Sequence, residues 1–376
     1  MIGRAEDVDR LALAVGQGGH QVVAGPRRTG KTTVCRAVLE RAAAEGSYTV
    51  AVDLFRLGDL GDFTNALVAQ AIANRPAVRR ALSKGRIGAR EIARSASLTP
   101  VARLRGELGA DTEVAFGSRR VDDPLGRFRS AMNLLVRLTE VDSVNLVLHI
   151  DEIQELAHPT EPFGDPDRIT KMMRSVLQDA PRITTVFSGS QEHLLRDLLS
   201  PRHRAFYGWG SWVRLGPIDT EAWEEGLAAR FRLGGFTIAA TAVGRLLDES
   251  EGHPRATMLI AQQCAVAAAV EHLDQIDDWV VPIGVEQAMA ADAGLHQELT
   301  VELRSMGRHV LSVASTIARG DAPYGPASAG RVAPSSIQRA IDSLERAGVV
   351  ERRGNRGRGG WVVVDPLARR FLADQG

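Results

Sequence analysis

Apolar and polar positions switch between two periods along the first half of the chain. Residues 20–25 form a short apolar run stopped by Gly25, as a buried strand is. Val34, Val38 and Ala42 then recur every four residues, with Leu39 alongside, and predict an amphipathic helix that Gly46 ends. Residues 48–53 return to strand character. Strand, glycine-rich turn, helix, strand is the order that builds a parallel α/β sheet. The rhythm resumes with a helix over 127–140, a strand over 144–150, a helix over 169–178, and strands over 183–187 and 212–215. From Pro217 to about residue 300 the pattern is helical, broken at Gly252-His253-Pro254.

Two stretches depart from this rhythm. Residues 56 to about 125 suggest short helices and read as a helical insertion; over 71–120 there are eleven Lys/Arg against four acids. From about residue 301 a separate unit begins. One helix carries Val310, Val313, Ala314 and Ile317. A second, capped by Ser335, carries Ile337, Ala340, Ile341, Leu344 and Ala347 on one face and stops at Gly348. Strands at 349–350 and 361–364 then flank a loop holding Arg352, Arg353, Arg356 and Arg358. Helices followed by a hairpin resemble a winged helix-turn-helix. The expected division is 1–216 for the sheet domain, 217–300 for a helical domain and 301–376 for the C-terminal unit.

Composition narrows the classes. The chain has 376 residues, 46 Lys plus Arg and 46 Asp plus Glu, so bulk charge does not drive nucleic-acid binding and any such contact needs a local patch. The only lysines are Lys31, Lys84 and Lys171. Two cysteines, Cys35 and Cys264, make neither a disulfide framework nor a paired metal site, and both lie in apolar helical patterns. No run approaches the length of a membrane span, and the N-terminus lacks an apolar signal core. A reduced, cytoplasmic protein is expected.

The chemistry sits in the turn after the first strand. Gly25-Pro26-Arg27-Arg28-Thr29-Gly30-Lys31-Thr32, with Thr33 following, fits GxxxxGK[ST] at every fixed position. Glycines let backbone N–H groups turn inward around phosphates, and the following helix points its positive end at them. Lys31 suits the β- and γ-phosphate oxygens; the Thr32 hydroxyl suits Mg²⁺. The strand over 144–150 runs into Asp151 and Glu152. The first acid is placed to hold Mg²⁺ and the second to activate water; the alternative is that both simply open the next helix. His149 reads as a hydrogen-bonded interior histidine. Ser188 and Ser190 end the next strand on the edge where ligands bind in parallel sheets, where a serine in a turn is the competing reading.

These residues resemble the AAA+/STAND group of P-loop ATPases, in particular the archaeal-type and origin-recognition-like ATPases with a C-terminal winged helix. Gly3 and Arg4, followed by Glu6, are similar to the family's N-terminal GRxxE box near the adenine. Residues 25–32 are similar to its Walker A motif and 146–152 to its Walker B motif. Residues 187–190 resemble the sensor-1 strand end. Gly252-His253-Pro254-Arg255 looks like the GxP motif of a helical lid, with Arg255 in a sensor-2-like place. Arg202 and Arg204 lie where such proteins carry an arginine finger.

The resemblance implies an α/β P-loop NTPase fold with a parallel AAA+-like sheet, a helical lid and a C-terminal winged helix-turn-helix. It implies ATP and Mg²⁺ as cofactors. Glu152, Lys31, Ser190, Arg204 and Arg255 are the catalytic candidates, Thr32 and Asp151 the metal ligands, and 25–33 with Gly3, Arg4 and Pro254 the nucleotide contacts. The expected function is an ATPase switch whose nucleotide state repositions the winged helix for DNA or partner binding; a nucleotide-gated DNA-binding regulator with little hydrolysis is the alternative. Gln338, Arg339, Arg352, Arg353, Arg356 and Arg358 are the candidates for double-stranded DNA, with a partner protein or homo-oligomer as the other option. No membrane is expected.

Overall fold

The computed structural model describes residues 1–74, 123–157, 162–325, 332–353 and 360–375. Most of the basic stretch, together with Arg356 and Arg358, lies outside them. The chain forms two compact units. One comprises Glu6–Gly25 and Lys31–Leu215, the other Met1–Ala5, Pro26–Gly30 and Gly216–Gly376.

The first unit is built on β1 (Gln21–Ala24), β2 (Tyr48–Asp53), β3 (Leu146–Asp151), β4 (Ile183–Gly189) and β5 (Ser211–Arg214). They form one sheet in the order β2-β3-β4-β1-β5, with every pairing parallel. β1, β3 and β4 are buried along their whole length, which is why they read as continuous apolar runs. Alternate side chains serve opposite faces. Val22, Leu148 and Ile150 pack with α3 (Leu60–Ala73) and α4 (Pro124–Val141). Val23, Val147 and Val186 pack with α1 (Ala5–Gly16) and α2 (Lys31–Ala44). The helices α5 (Pro166–Leu177) and α6 (Glu192–Leu199) add Ile169, Met173 and Leu195 to the first face. The result is an α/β parallel sheet covered on both sides.

One boundary needs correction. An insertion does not begin at residue 56: α3 places Phe63, Leu67 and Ile72 in the core with essentially no exposure. Its apolar residues fall at 63, 67, 68, 71 and 72, a core-facing stripe that belongs to the sheet domain.

In the second unit, α7 (Thr220–Leu233), α8 (Ala240–Ser250), α9 (Pro254–Val270), α10 (Val280–Ala291) and α11 (Ala293–Met306) follow one another. Trp223, Leu246, Ile260 and Val281 form the core of the first four. A two-residue parallel ladder between β6 (Thr237–Ile238) and β7 (Gln275–Ile276) was too short to read from the sequence. Next come α12 (Val310–Ala318), α13 (Pro334–Arg346), the antiparallel pair β8 (Val350–Arg353) and β9 (Gly360–Val363), and α14 (Pro366–Ala373). Val313, Ile317, Ile341, Leu344, Val363 and Leu372 share one core. Ser335 does not cap α13. The N-cap is Ala333, with Pro334 at the first helical position, whose fixed φ suits that place. Cys35 and Cys264 are buried free thiols, each pushed up to about 12 by burial. Among the described residues, no helix is long and apolar enough to cross a membrane.

Candidate active site

In the first unit, the start of α2 meets the carboxyl ends of β3 and β4. Lys31 opens α2 and is buried. The next side chain, Thr32, donates from Oγ1 to Asp151 Oδ2 at 2.7 Å. Ser188 Oγ donates to the other carboxylate oxygen, Oδ1, at 2.5 Å. His149 Nε2 lies 2.7 Å from that same Ser188 Oγ. Because Ser188 gives its hydrogen to Asp151, His149 is assigned its proton on Nε2 and donates to the hydroxyl. His149 is thus the interior hydrogen-bonded residue expected, and burial holds its pKa below the ordinary value.

Burial also works to raise the Asp151 pKa, but His149, the two hydroxyl donors and Lys31 outweigh it and keep the carboxyl below the usual carboxylate range. Asp53 pairs in register with Asp151 at the neighbouring strand end. Its carboxyl is pushed up by burial and then by the adjacent Asp151 charge. The edge therefore concentrates negative charge, and its donors are hard oxygens. Among the described residues, no three His, Cys, Asp or Glu are arranged to hold a metal by themselves. One hydroxyl and one carboxylate fit Mg²⁺, which keeps several waters and takes substrate phosphate oxygens rather than an all-protein cage.

Glu152 follows with its backbone in the left-handed region, at φ +52°. Its Oε2 accepts from Ser190 N at 3.0 Å and Ser190 Oγ at 2.8 Å, and from Gln154 Nε2. The structure therefore brings Glu152 and Ser190 together. Gln154, almost fully buried, completes that arrangement and carried no sequence signal.

The turn between β1 and α2 has Gly25, Arg28 and Gly30 at φ +159°, +66° and +92°. Thr29 Oγ1 donates to Pro26 O at 2.8 Å. In the second unit, Arg4 is buried and its Nη2 donates to Gly216 O at 2.7 Å and Thr29 O at 3.3 Å; Gly3 beside it has φ +59°. Pro254 opens α9, with His253 as its N-cap. Arg255 is held by Asp292 through two hydrogen bonds of 2.6 Å, and Asp292 in particular raises its pKa. Arg204 is bound to Asp167, and Arg202 is exposed.

The nucleic-acid candidates are scattered in their engagement. Gln338 accepts from Tyr324 Oη at 2.5 Å and donates to Asp342 at 2.7 Å. Arg339 bonds back to Ser335 O at 3.2 Å. Arg353 donates to Glu251 at 2.9 Å and Glu351 at 2.8 Å, while Arg352 is exposed.

A parallel sheet with a GxxxxGKT turn ahead of its crossover helix and acids at the facing strand end defines the P-loop NTPase fold. Solved structures of a Walker-type ATPase and of ORC proteins resemble this chain in fold over essentially its whole length. A Walker-type ATPase of Pyrococcus abyssi superposes with TM-score 0.69 and 16% identity, covering 99% of this chain and 96% of that one. The ORC2 protein of Aeropyrum pernix, solved with ADPNP and ADP, gives 0.60 and 16% over 98% and 92%. The ORC1 protein of the same organism, in complex with DNA, gives 0.50 and 14% over 100% and 93%. At these identities the likeness is one of fold. By sequence, the chain is 29% identical to RecA of Cutibacterium acnes over 199 residues, 48% of this chain and 54% of RecA. The chain spans about half the length of the curated relatives it matches. No family model matches.

Proposed function

We propose that this chain is an ATPase of the AAA+/STAND kind, binding ATP with Mg²⁺ and hydrolysing it to drive a conformational switch. The observation that carries this reading is the 2.7 Å contact between Thr32 and Asp151, with Glu152 adjacent. It joins the end of the phosphate loop to the acidic strand end through the two side chains suited to Mg²⁺. The ion, when bound, supplies charge neutralisation across the β- and γ-phosphates.

The chain's own groups do the rest. Backbone amides of 25–32 and the Lys31 ammonium bind the phosphates. Ser188 and His149 fix the Asp151 carboxylate from behind, in the manner of a supporting shell. Glu152 accepts the proton of the attacking water; to do so its Oε2 exchanges the donors Ser190 and Gln154 for that water. Ser190 is left to orient the water or a γ-phosphate oxygen. Arg255 senses the γ-phosphate only by leaving Asp292. Arg204, bound to Asp167, acts as a finger only if that pair opens.

A second reading, nucleotide-gated DNA binding, is favoured by the likeness to an ORC1 protein solved with DNA. Exposed Arg352 is its best-placed described candidate. It predicts duplex binding that weakens steeply with salt and responds to ATP.

The deciding experiment is titration of the purified chain with a fluorescent ATP analogue and Mg²⁺, with Lys31→Ala alongside. Saturable binding that Lys31→Ala weakens at least about 30-fold is expected for a charge-assisted phosphate contact. Equal binding by the variant rejects the reading.

A further inference from the structure

Arg28 stands at φ +66°, a backbone that an L-residue adopts at a cost that glycine avoids. Gly30, two positions on, shows that this turn uses glycine where it needs such a backbone. Conformation alone therefore does not explain an arginine at 28; its side chain does. Arg28 Nη1 donates to Asp365 Oδ2 at 2.6 Å, across 337 residues of sequence. Asp365 is the N-cap of α14: its Oδ1 accepts from Leu367 N at 3.0 Å and Ala368 N at 3.4 Å. Its side chain is only 14% exposed. Arg255 Nη1 lies 3.8 Å from the same Oδ2. One carboxylate of the last helix thus faces two guanidinium groups, one from the phosphate loop and one from the start of α9.

Guanidinium groups select carboxylates and phosphates by the same geometry. We infer that Asp365 is an internal stand-in for phosphate: it holds Arg28 and gives it up when a nucleoside triphosphate enters the loop, releasing α14. This rests on the ATP reading above and names the regulation of that site. Asp365 is a positioning residue that acts through Arg28. Opening the pair opposes nucleotide binding, so removing the competing charge tightens binding.

The test compares Kd for a fluorescent ATP analogue with Mg²⁺ in the full chain, in Asp365→Asn, in Arg28→Gly and in the double variant. Asparagine caps helices as well as aspartate does, so Asp365→Asn keeps α14 folded, and Arg28→Gly relieves the backbone strain. The expected result is a Kd about fivefold lower for Asp365→Asn, the scale of a half-exposed ion pair, and no further change when that substitution is added to Arg28→Gly. Amide exchange over 366–373 is expected to accelerate on nucleotide addition in the unsubstituted chain, and to be nucleotide-independent in Arg28→Gly. An unchanged or higher Kd for Asp365→Asn, or the same fivefold effect in the Arg28→Gly background, overturns the latch while leaving nucleotide binding intact. Failure of the unsubstituted chain to bind any nucleotide overturns both readings.

Discussion

Glu152 sits on a left-handed backbone one residue beyond a fully buried strand, and that turn carries its carboxylate back to Ser190. A non-glycine residue held there costs about 1 kcal/mol and persists where the surroundings over-determine it. Here three donors on one carboxylate oxygen do so. Under the proposed ATPase reading, replacing Glu152 with Gln removes the proton acceptor while leaving the Thr32–Asp151 contact. The expected outcome is phosphate release at least about 100-fold slower, with the Kd for ATP within about threefold of the unsubstituted chain. Parallel phosphate-release and binding assays check this; undiminished turnover assigns the base elsewhere. At this scale the strand-end acids and Ser190 were legible, because polar residues terminating an apolar run advertise a ligand-facing edge. Gln154, Asp292 and Asp365 were not. Asp292 and Asp365 matter only for partners that folding brings from 37 and 337 residues away.

Among the elements, the crossing of α9 and α10 depends on one glycine. A Cβ on Gly284 would lie 2.4 Å from Cys264 Sγ and 3.2 Å from Ile260 O. Gly284→Ala is expected to cost about 1–3 kcal/mol through forced separation of the helices. Gly244, inside α8, has open space around its Cβ position. Gly244→Ala should stabilise by about 0.5–1 kcal/mol, because only unfolded-state entropy and helix propensity change. Thermal unfolding of the pair checks both: Tm falls for the first and rises for the second. Equal shifts would mean that packing at Gly284 does not limit stability. Element type was readable wherever a run was long and periodic, as for α2, β3 and β4. The start of the basic insertion was misplaced although α3 carries core residues at helical spacing. The last helix went unread although Asp365-Pro366 is a helix-start signal.

At the scale of the whole molecule, four imidazoles among the described residues link stability to pH. Burial holds His20, His149, His253 and His296 below their ordinary pKa. Below pH of about 6.5 the unfolded chain takes up protons at these groups that the folded chain refuses. The unfolded state binds more protons there, so stability falls as the solution is acidified. Asp53, with its raised pKa, works the other way at lower pH, but as one group against four. Tm is therefore expected to decline from pH 7.5 to 5.5, and a constant or rising Tm over that interval would refute the linkage.

Local patterning settled the five sheet strands in chain order, the glycine-rich turn and the acidic strand end, because each is written in residues close along the chain. Tertiary structure alone decided that Thr32 and Asp151 touch across 119 residues, that Arg255 belongs to Asp292, and that Arg28 reaches Asp365. Periodicity reports which face of an element is buried. It carries no information on which distant charge will share that burial, and that choice rests on packing the whole chain makes at once.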